Sequence, residues 1–276
     1  MSATLSIDYI QGWRRWSDLH HPANFEITIV EQFLDLKRKE NADIKPLSAM
    51  NILEVGCGDG RVMREFAPVA KSVIGIDTNS QVIEFLQSEI EQAFVAIIAS
   101  NLDAANINVA VNEMSGTDLQ FEDESFDLVL FPWSLHQIKD KHTALKEAKR
   151  VLAKNGHLVV FGLLPGGEYE NAVAEIGLDP GPQVDPVEAY EKPLIDAFGK
   201  IDDSCPIGAK PEDKEFGFLF PDVETSVANW DWALHNWHEQ VVKPEQLKTI
   251  AARMQKNSRQ DGVFMNISGR AYLCSK

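Results

Sequence analysis

Asn51-Ile52-Leu53-Glu54-Val55-Gly56-Cys57-Gly58-Asp59-Gly60 is the stretch that decides the fold. An apolar run ends in glycines at alternate positions, and Val62-Met63-Arg64-Glu65-Phe66 then takes up a helical pattern. The expected form is strand, tight turn, helix. Glycine at such a turn allows φ > 0 and lets a ligand approach the backbone closely. The helix behind it offers free N–H groups and the positive end of its dipole.

The glycine spacing separates ligand classes. A dinucleotide fingerprint, G-x-G-x-x-G, counted from Gly56 needs glycine at the position held by Arg61. A phosphate-binding P-loop needs Gly-Lys-Ser/Thr, and Gly60-Arg61-Val62 does not supply it. The pattern that stands here, E-x-G-x-G-x-G, resembles the first motif of the class I S-adenosylmethionine (SAM)-dependent methyltransferases, whose loop wraps the methionine part of SAM.

Three further segments extend the likeness in the same order. Ser72-Val73-Ile74-Gly75-Ile76-Asp77 reads as a second strand ending in an acid. A doubly wound fold brings that end beside the glycine loop, where a carboxylate can accept both ribose hydroxyls of a nucleoside. The competing role is a helix cap, for which Thr78, Asn79 or Ser80 is better placed. Glu122-Asp123-Glu124-Ser125-Phe126-Asp127-Leu128-Val129-Leu130-Phe131 resembles the family's acidic turn and fourth strand, and Lys154-Asn155-Gly156-His157-Leu158 its turn into the fifth. The family carries an acid that binds the adenine amino group before the residue matched by Phe121. Here Ser115 stands at that position, so Ser115, Asp118 or backbone groups are the alternatives for reading adenine.

Pro132-Trp133-Ser134-Leu135-His136-Gln137 follows at the C-terminal end of the fourth strand, where open α/β sheets bind ligands. Methyltransferases acting on nucleobase or amide nitrogens carry Asn/Asp-Pro-Pro-aromatic at this corner, and position 131 offers no such amide or acid. His136 is the candidate catalytic residue. Its imidazole either takes a proton from a hydroxyl or acidic carbon, or is hydrogen-bonded behind the loop. The resemblance assigns Glu54, Gly56, Cys57, Gly58, Gly60, Asp77, Thr78, Ser115, Gly116, Phe131 and Trp133 to the cofactor, S-adenosyl-L-methionine, and no residue to a metal.

It implies an α/β fold: a doubly wound, mostly parallel seven-stranded sheet with N-terminal helices and an insert after strand five. The expected divisions are an N-terminal helical cap over 1–45, a SAM-binding core over 46–164, an insert over 165–240 and a C-terminal part over 241–276 that completes the core sheet. Two N-terminal helices are expected around Tyr9–Leu19 and Ile27–Leu36, joined by Leu19-His20-His21-Pro22, whose histidines either face the acceptor or are solvated. The proline-rich stretch from 165 to about 225 reads as irregular chain with short helices near Tyr169–Glu175 and Val187–Phe198. Trp230, Leu234 and Trp237 share a helical face suited to packing, and His235 with His238 is too little for a metal site.

Bulk properties narrow the partners. The 276 residues carry a net charge of −16, which argues against a nucleic-acid substrate. No apolar run approaches the ~20 residues of a membrane span. Cys57, Cys205 and Cys274 read as reduced thiols, and Met1–Asp8 has no basic stretch followed by an apolar core, so a cytoplasmic location is expected. The expected reaction is methylation of oxygen or carbon on a small-molecule acceptor, with the oligomeric state open. The rival readings are a SAM-binding regulator without catalysis and an NAD(P)-dependent oxidoreductase. The second shares Asp77 but has no Tyr-x-x-x-Lys pair.

Overall fold

The computed structural model describes residues 7–99, 108–179, 184–208, 214–237 and 241–276. Strand β2 (Asn51–Val55) is buried along its length after the first residue, as an apolar run flanked on both sides must be. Alternate residues serve opposite faces. Ile52 joins one hydrophobic cluster, while Leu53 and Val55 join the other. The same alternation runs through β5 (Phe126–Pro132) and β6 (Leu152–Leu163), where Leu130 and Phe161 face one side and Phe131 and Val160 the other.

The main sheet has seven strands in the order β4-β3-β2-β5-β6-β11-β7, with β3 at Ser72–Asp77, β4 at Val109–Glu113, β7 at Asp203–Ile207 and β11 at Gly269–Ser275. The pairs from β4 to β6 are parallel, and β11 runs antiparallel to both β6 and β7. Helices α3 (Arg61–Phe66), α4 (Ser80–Ala99) and α5 (Lys141–Val151) make the crossovers. The expected fold class is the observed one. Strand order reverses between β2 and β5, which opens a crevice at their C-terminal ends.

A second layer stands above that crevice. Helix α1 (Ile7–Ser17) and α2 (Phe25–Glu40) flank a two-residue strand β1 (His20–His21). β1 pairs with β8 (Gly217–Phe220), β8 with β10 (Gly262–Asn266), and β10 with β9 (Ser258–Arg259), all antiparallel. Helices α6 (Glu168–Glu175), α8 (Val223–Trp237) and α9 (Pro244–Lys256) pack with this sheet around Trp16 and Trp230, whose rings meet edge to face at 5.9 Å. Helix α7 (Lys192–Phe198) instead joins the core below the main sheet through Leu194.

The layering departs from the expected divisions at two places. β7 lies inside the expected insert yet closes the edge of the main sheet, while β10 and α9 belong to the upper layer and leave β11 alone to complete the core. Both C-terminal strands, β10 and β11, are apolar, so sequence pattern did not separate them; the register of β11 against β6 does. Asp127 is structural, accepting Asn51 N–H at 2.9 Å and pairing with Lys45 at 2.7 Å, which ties β5 to β2. No described helix is long and apolar enough to cross a membrane.

Candidate functional site

Two adjoining cavities, of about 460 and 530 Å³, occupy the crevice. Gly56, Asp77, Ser134 and Gln137 line both.

The glycine loop forms their shared wall. Gly56 and Cys57 donate their N–H groups to Ile76 O at 2.8 and 2.9 Å, so the turn is laced to the end of β3. Gly56 takes φ +76°, and a Cβ there would lie 2.6 Å from Ser134 Cβ. Ser134 in turn donates to Val55 O at 2.5 Å. At Gly58, with φ +51°, a Cβ would meet the Trp13 ring at 2.8 Å. Both positions therefore require glycine, for backbone conformation and for space. Cys57 is buried, and desolvation with the Glu54 and Asp77 carboxylates pushes its thiol up, so it stays protonated packing.

Asp77 is organised by the same loop. Its Oδ2 accepts Gly58 N–H at 3.1 Å and its Oδ1 accepts Asn79 N–H at 3.0 Å. Asn79, not Asp77, caps α4, through Gln81 and Val82 N–H. Glu54 lines the first cavity and is 2% exposed, and its buried Oε2 has no hydrogen-bond partner among the described residues. Burial raises its carboxyl well above the usual range, and Arg61 pulls the other way. Asp59 completes a set of three carboxylates in that lining.

Arg61, the residue that excluded a dinucleotide fingerprint, is 8% exposed and bonded to Glu26 of α2 through both terminal nitrogens and to Glu65 at 3.1 Å. Glu26 also accepts Trp133 Nε1–H at 2.9 Å. Burial works against ionising Glu26, but Arg61 and the indole N–H outweigh it and hold the carboxyl below its usual range. This chain of contacts docks the upper layer on the loop and fixes Trp133, which takes φ +59° and stacks on Phe216 at 5.4 Å.

The second cavity is lined by Thr78, Ser115, Gly116 and Thr117. Ser115 Oγ is 2.7 Å from Thr117 Oγ1 and accepts Thr117 N–H at 3.2 Å. Asp118, the alternative to Ser115, is exposed and accepts from Gln120 instead. His136 lines the first cavity from the turn after β5. Burial, and then Lys141, lower its pKa, and its Nδ1 has no partner among the described residues.

Two of the residues assigned by resemblance lie apart. Phe131 is 0% exposed on the α5 side of the sheet, because its odd position in β5 turns it away from the crevice. Gly60 lines neither cavity; it starts α3 with φ +76°, and a Cβ there would press on Leu86 of α4. Trp237, which sequence reasoning placed in plain packing, lines the first cavity, as do Trp13 and His20; Ser17 and Phe218, which it gave no role, line it too, with Ser134 and Gln137 from the corner after β5. His21 lies against Phe264 and lines neither cavity, and His238 lies outside the described residues. Among the described residues no group of His, Cys, Asp or Glu could hold a metal.

Comparison with known proteins agrees with this geometry. Residues 53–160 match the methyltransferase domain family model. The chain is 30% identical over 113 residues to the ubiquinone/menaquinone biosynthesis C-methyltransferase of Geotalea daltonii, covering 40% of this chain and 44% of that protein. It is 34% identical over 137 residues to the tRNA U34 carboxymethyltransferase of Methylococcus capsulatus, covering 49% and 39%. Other curated relatives include O-methyltransferases. The chain spans about two fifths to three fifths of the length of these relatives. Among solved structures, the cyclase SpnF shares the fold with a TM-score of 0.51 at 17% identity, covering 89% of this chain and 80% of that one.

Proposed function

We propose that this chain, whose residues 53–160 match the methyltransferase domain family model, is a class I SAM-dependent methyltransferase that transfers the SAM methyl group to oxygen or activated carbon of a small molecule. The observation that carries this reading is the set of carboxylates around the glycine cradle. Glu54, Asp59 and Asp77 face one cavity, where Asp59 is paired with Arg14 and Arg64, and Arg61 with Glu26 and Glu65. Asp77 has no cationic partner among the described residues, and its carboxylate suits the hydroxyls of a nucleoside. The buried Glu54 oxygen, without a partner among the described residues, is a polar group that a bound ligand would satisfy.

The ligand fits the two cavities by its parts. Asp77, at their junction, suits the ribose hydroxyls, with its carboxylate already oriented by Gly58 and Asn79 N–H. Ser115, Gly116 and Thr117 suit the base, through hydroxyls and backbone in place of an acid. Glu54 and the 56–59 loop suit the amino-acid end. When bound, SAM supplies a methyl group already activated by a sulfonium leaving group, so the protein's task is alignment and exclusion of water. Trp133, held by Glu26, and Trp13, packed on Gly58, form the dry walls of the acceptor side. His136 stays neutral through the physiological range and can accept a proton. Arg61 stands where a dinucleotide fingerprint carries its third glycine, the one that lets helix and strand pack closely.

The test is transfer of label from methyl-labelled SAM to a panel of phenols, enols, amines and RNA, with calorimetry of SAM and NAD beside it. SAM binding with label in a phenol or enol product is the expected result. NAD binding without SAM binding sinks the reading, and label in RNA alone sinks its small-molecule part. Substituting His136→Ala should remove the acid limb of the pH–rate profile; an unchanged profile leaves that residue a structural role.

A further inference from the structure

The first cavity reaches past the glycine loop into the upper layer, where His20 of β1 lines it. His20 Nδ1 lies 2.7 Å from Ser17 O. A carbonyl oxygen only accepts, so Nδ1 carries the hydrogen and Nε2 keeps its lone pair. Nε2 has no hydrogen-bond partner among the described residues, on a ring that lines the cavity. The ring is held in place by Phe216, stacked at 5.2 Å, and Phe218, tilted at 4.5 Å. His20 is thus a fixed hydrogen-bond acceptor between aromatic rings.

The upper-layer residues that line this cavity carry no charged side chain: Trp13, Ser17, His20, Phe218 and Trp237, with Leu163 and Ile267 in the same lining. The three carboxylates belong to the loop side. Arg61 has its carboxylate partners already, so an acidic acceptor would find no free cation in the described lining. A cationic acceptor would find no free carboxylate on this side, since Glu26 is held by Arg61 and Trp133; burial first and then Arg61, against Glu26, keep the imidazole neutral with a pKa of about 3.

We infer that the upper-layer side of this cavity takes an uncharged, flat ring bearing a hydroxyl, whose O–H donates to Nε2 of His20 while the ring lies among the tryptophans. The methyl-transfer reading supplies only the reason for placing that ring beside the loop; recognition itself stands on His20 and the lining. His20 is a binding and specificity-determining residue here, with no proton transfer assigned to it.

Binding of 2-naphthol to the full chain in the presence of S-adenosylhomocysteine tests this, followed by fluorescence, with 2-methoxynaphthalene and 2-naphthoate as probes lacking the donor or carrying a charge. We expect 2-naphthol to bind at least about tenfold tighter than either. His20→Phe keeps the stacking and should abolish the preference, and His20→Gln, which leaves an acceptor near the Nε2 position, should retain part of it. Circular dichroism confirms that each variant folds. No binding of 2-naphthol, equal binding of 2-naphthoate, or a preference that survives in His20→Phe overturns the inference. The S-adenosylhomocysteine titration made alongside reports on the methyltransferase reading separately, because naphthol recognition is read out without any methyl transfer.

Discussion

At the scale of single residues, two side chains carry most of the weight. Asp77 was legible in sequence because a strand ending in an acid, about 20 residues past a glycine loop, has few other uses in a doubly wound fold. Its geometry adds that both oxygens are oriented by backbone N–H groups. Each charged hydrogen bond to ribose is worth roughly 1.5–3 kcal/mol, so Asp77→Ala should weaken SAM binding by at least about tenfold. Calorimetry decides it, and an unchanged affinity would mean that another group holds the ribose. His20 was harder to read, since two adjacent histidines in a loop before a proline are as often solvated as placed. Only the pairing of β1 with β8 turns His20 inward and leaves His21 outside. Its folded pKa of about 3 lies below the ordinary imidazole value of 6.5. The unfolded chain therefore takes the proton first as pH falls. The His20 contribution to stability is complete above about pH 6.5 and is lost progressively toward pH 3. The urea midpoint of wild type should fall relative to that of His20→Phe as the pH is lowered through that window. A constant gap would place the imidazole in contact with solvent.

Among the elements, the contact between α2 and α3 explains why the site forms at all. Arg61 heads α3 and Glu26 heads α2, both buried, and the pair also holds the Trp133 indole. Breaking a buried ion pair from one side leaves an uncompensated charge and costs about 3–5 kcal/mol. Arg61→Met and Glu26→Gln should each approach that loss, while the double variant should fall well short of the sum. Denaturant unfolding of the four proteins measures the coupling, and strictly additive losses would show that the two side chains act independently. No sequence signal announced this pair. Position 61 was informative only as a missing glycine, because nothing along the chain says that a partner 35 residues upstream folds over the loop. Phe131 shows a related limit. The motif located β5 well, but motif membership does not say which face a residue takes, and strand alternation sends Phe131 to the helix side. The apolar runs of β2, β5 and β6 were readable because strands buried on both faces have little freedom in composition.

For the molecule as a whole, the upper layer is assembled from three distant parts of the chain: β1 from the N-terminus, β8 from the expected insert, and β9 and β10 from the C-terminus. The core sheet was legible because its motifs are local and ordered; this layer was not, since its strands are short and meet only across long sequence separations. None of its strands finds a partner nearby except β9 and β10, so its pairings are gathered across long sequence separations. The first cavity is lined from both layers, by Gly56–Asp59 below and Trp13, His20 and Phe218 above. A ligand seated there binds the native state and has no comparable site on the unfolded chain. At a concentration about 100 times its Kd, such a ligand adds about 2.7 kcal/mol. With roughly 2–4 °C per kcal/mol for a chain near this size, SAM should raise the melting temperature by roughly 5–10 °C in a single transition, and NAD should leave it unchanged. Differential scanning calorimetry separates the alternatives. Two resolved transitions with only one moved by SAM would show that the layers unfold independently, and a shift with NAD would return the glycine loop to the dinucleotide class that Arg61 excludes.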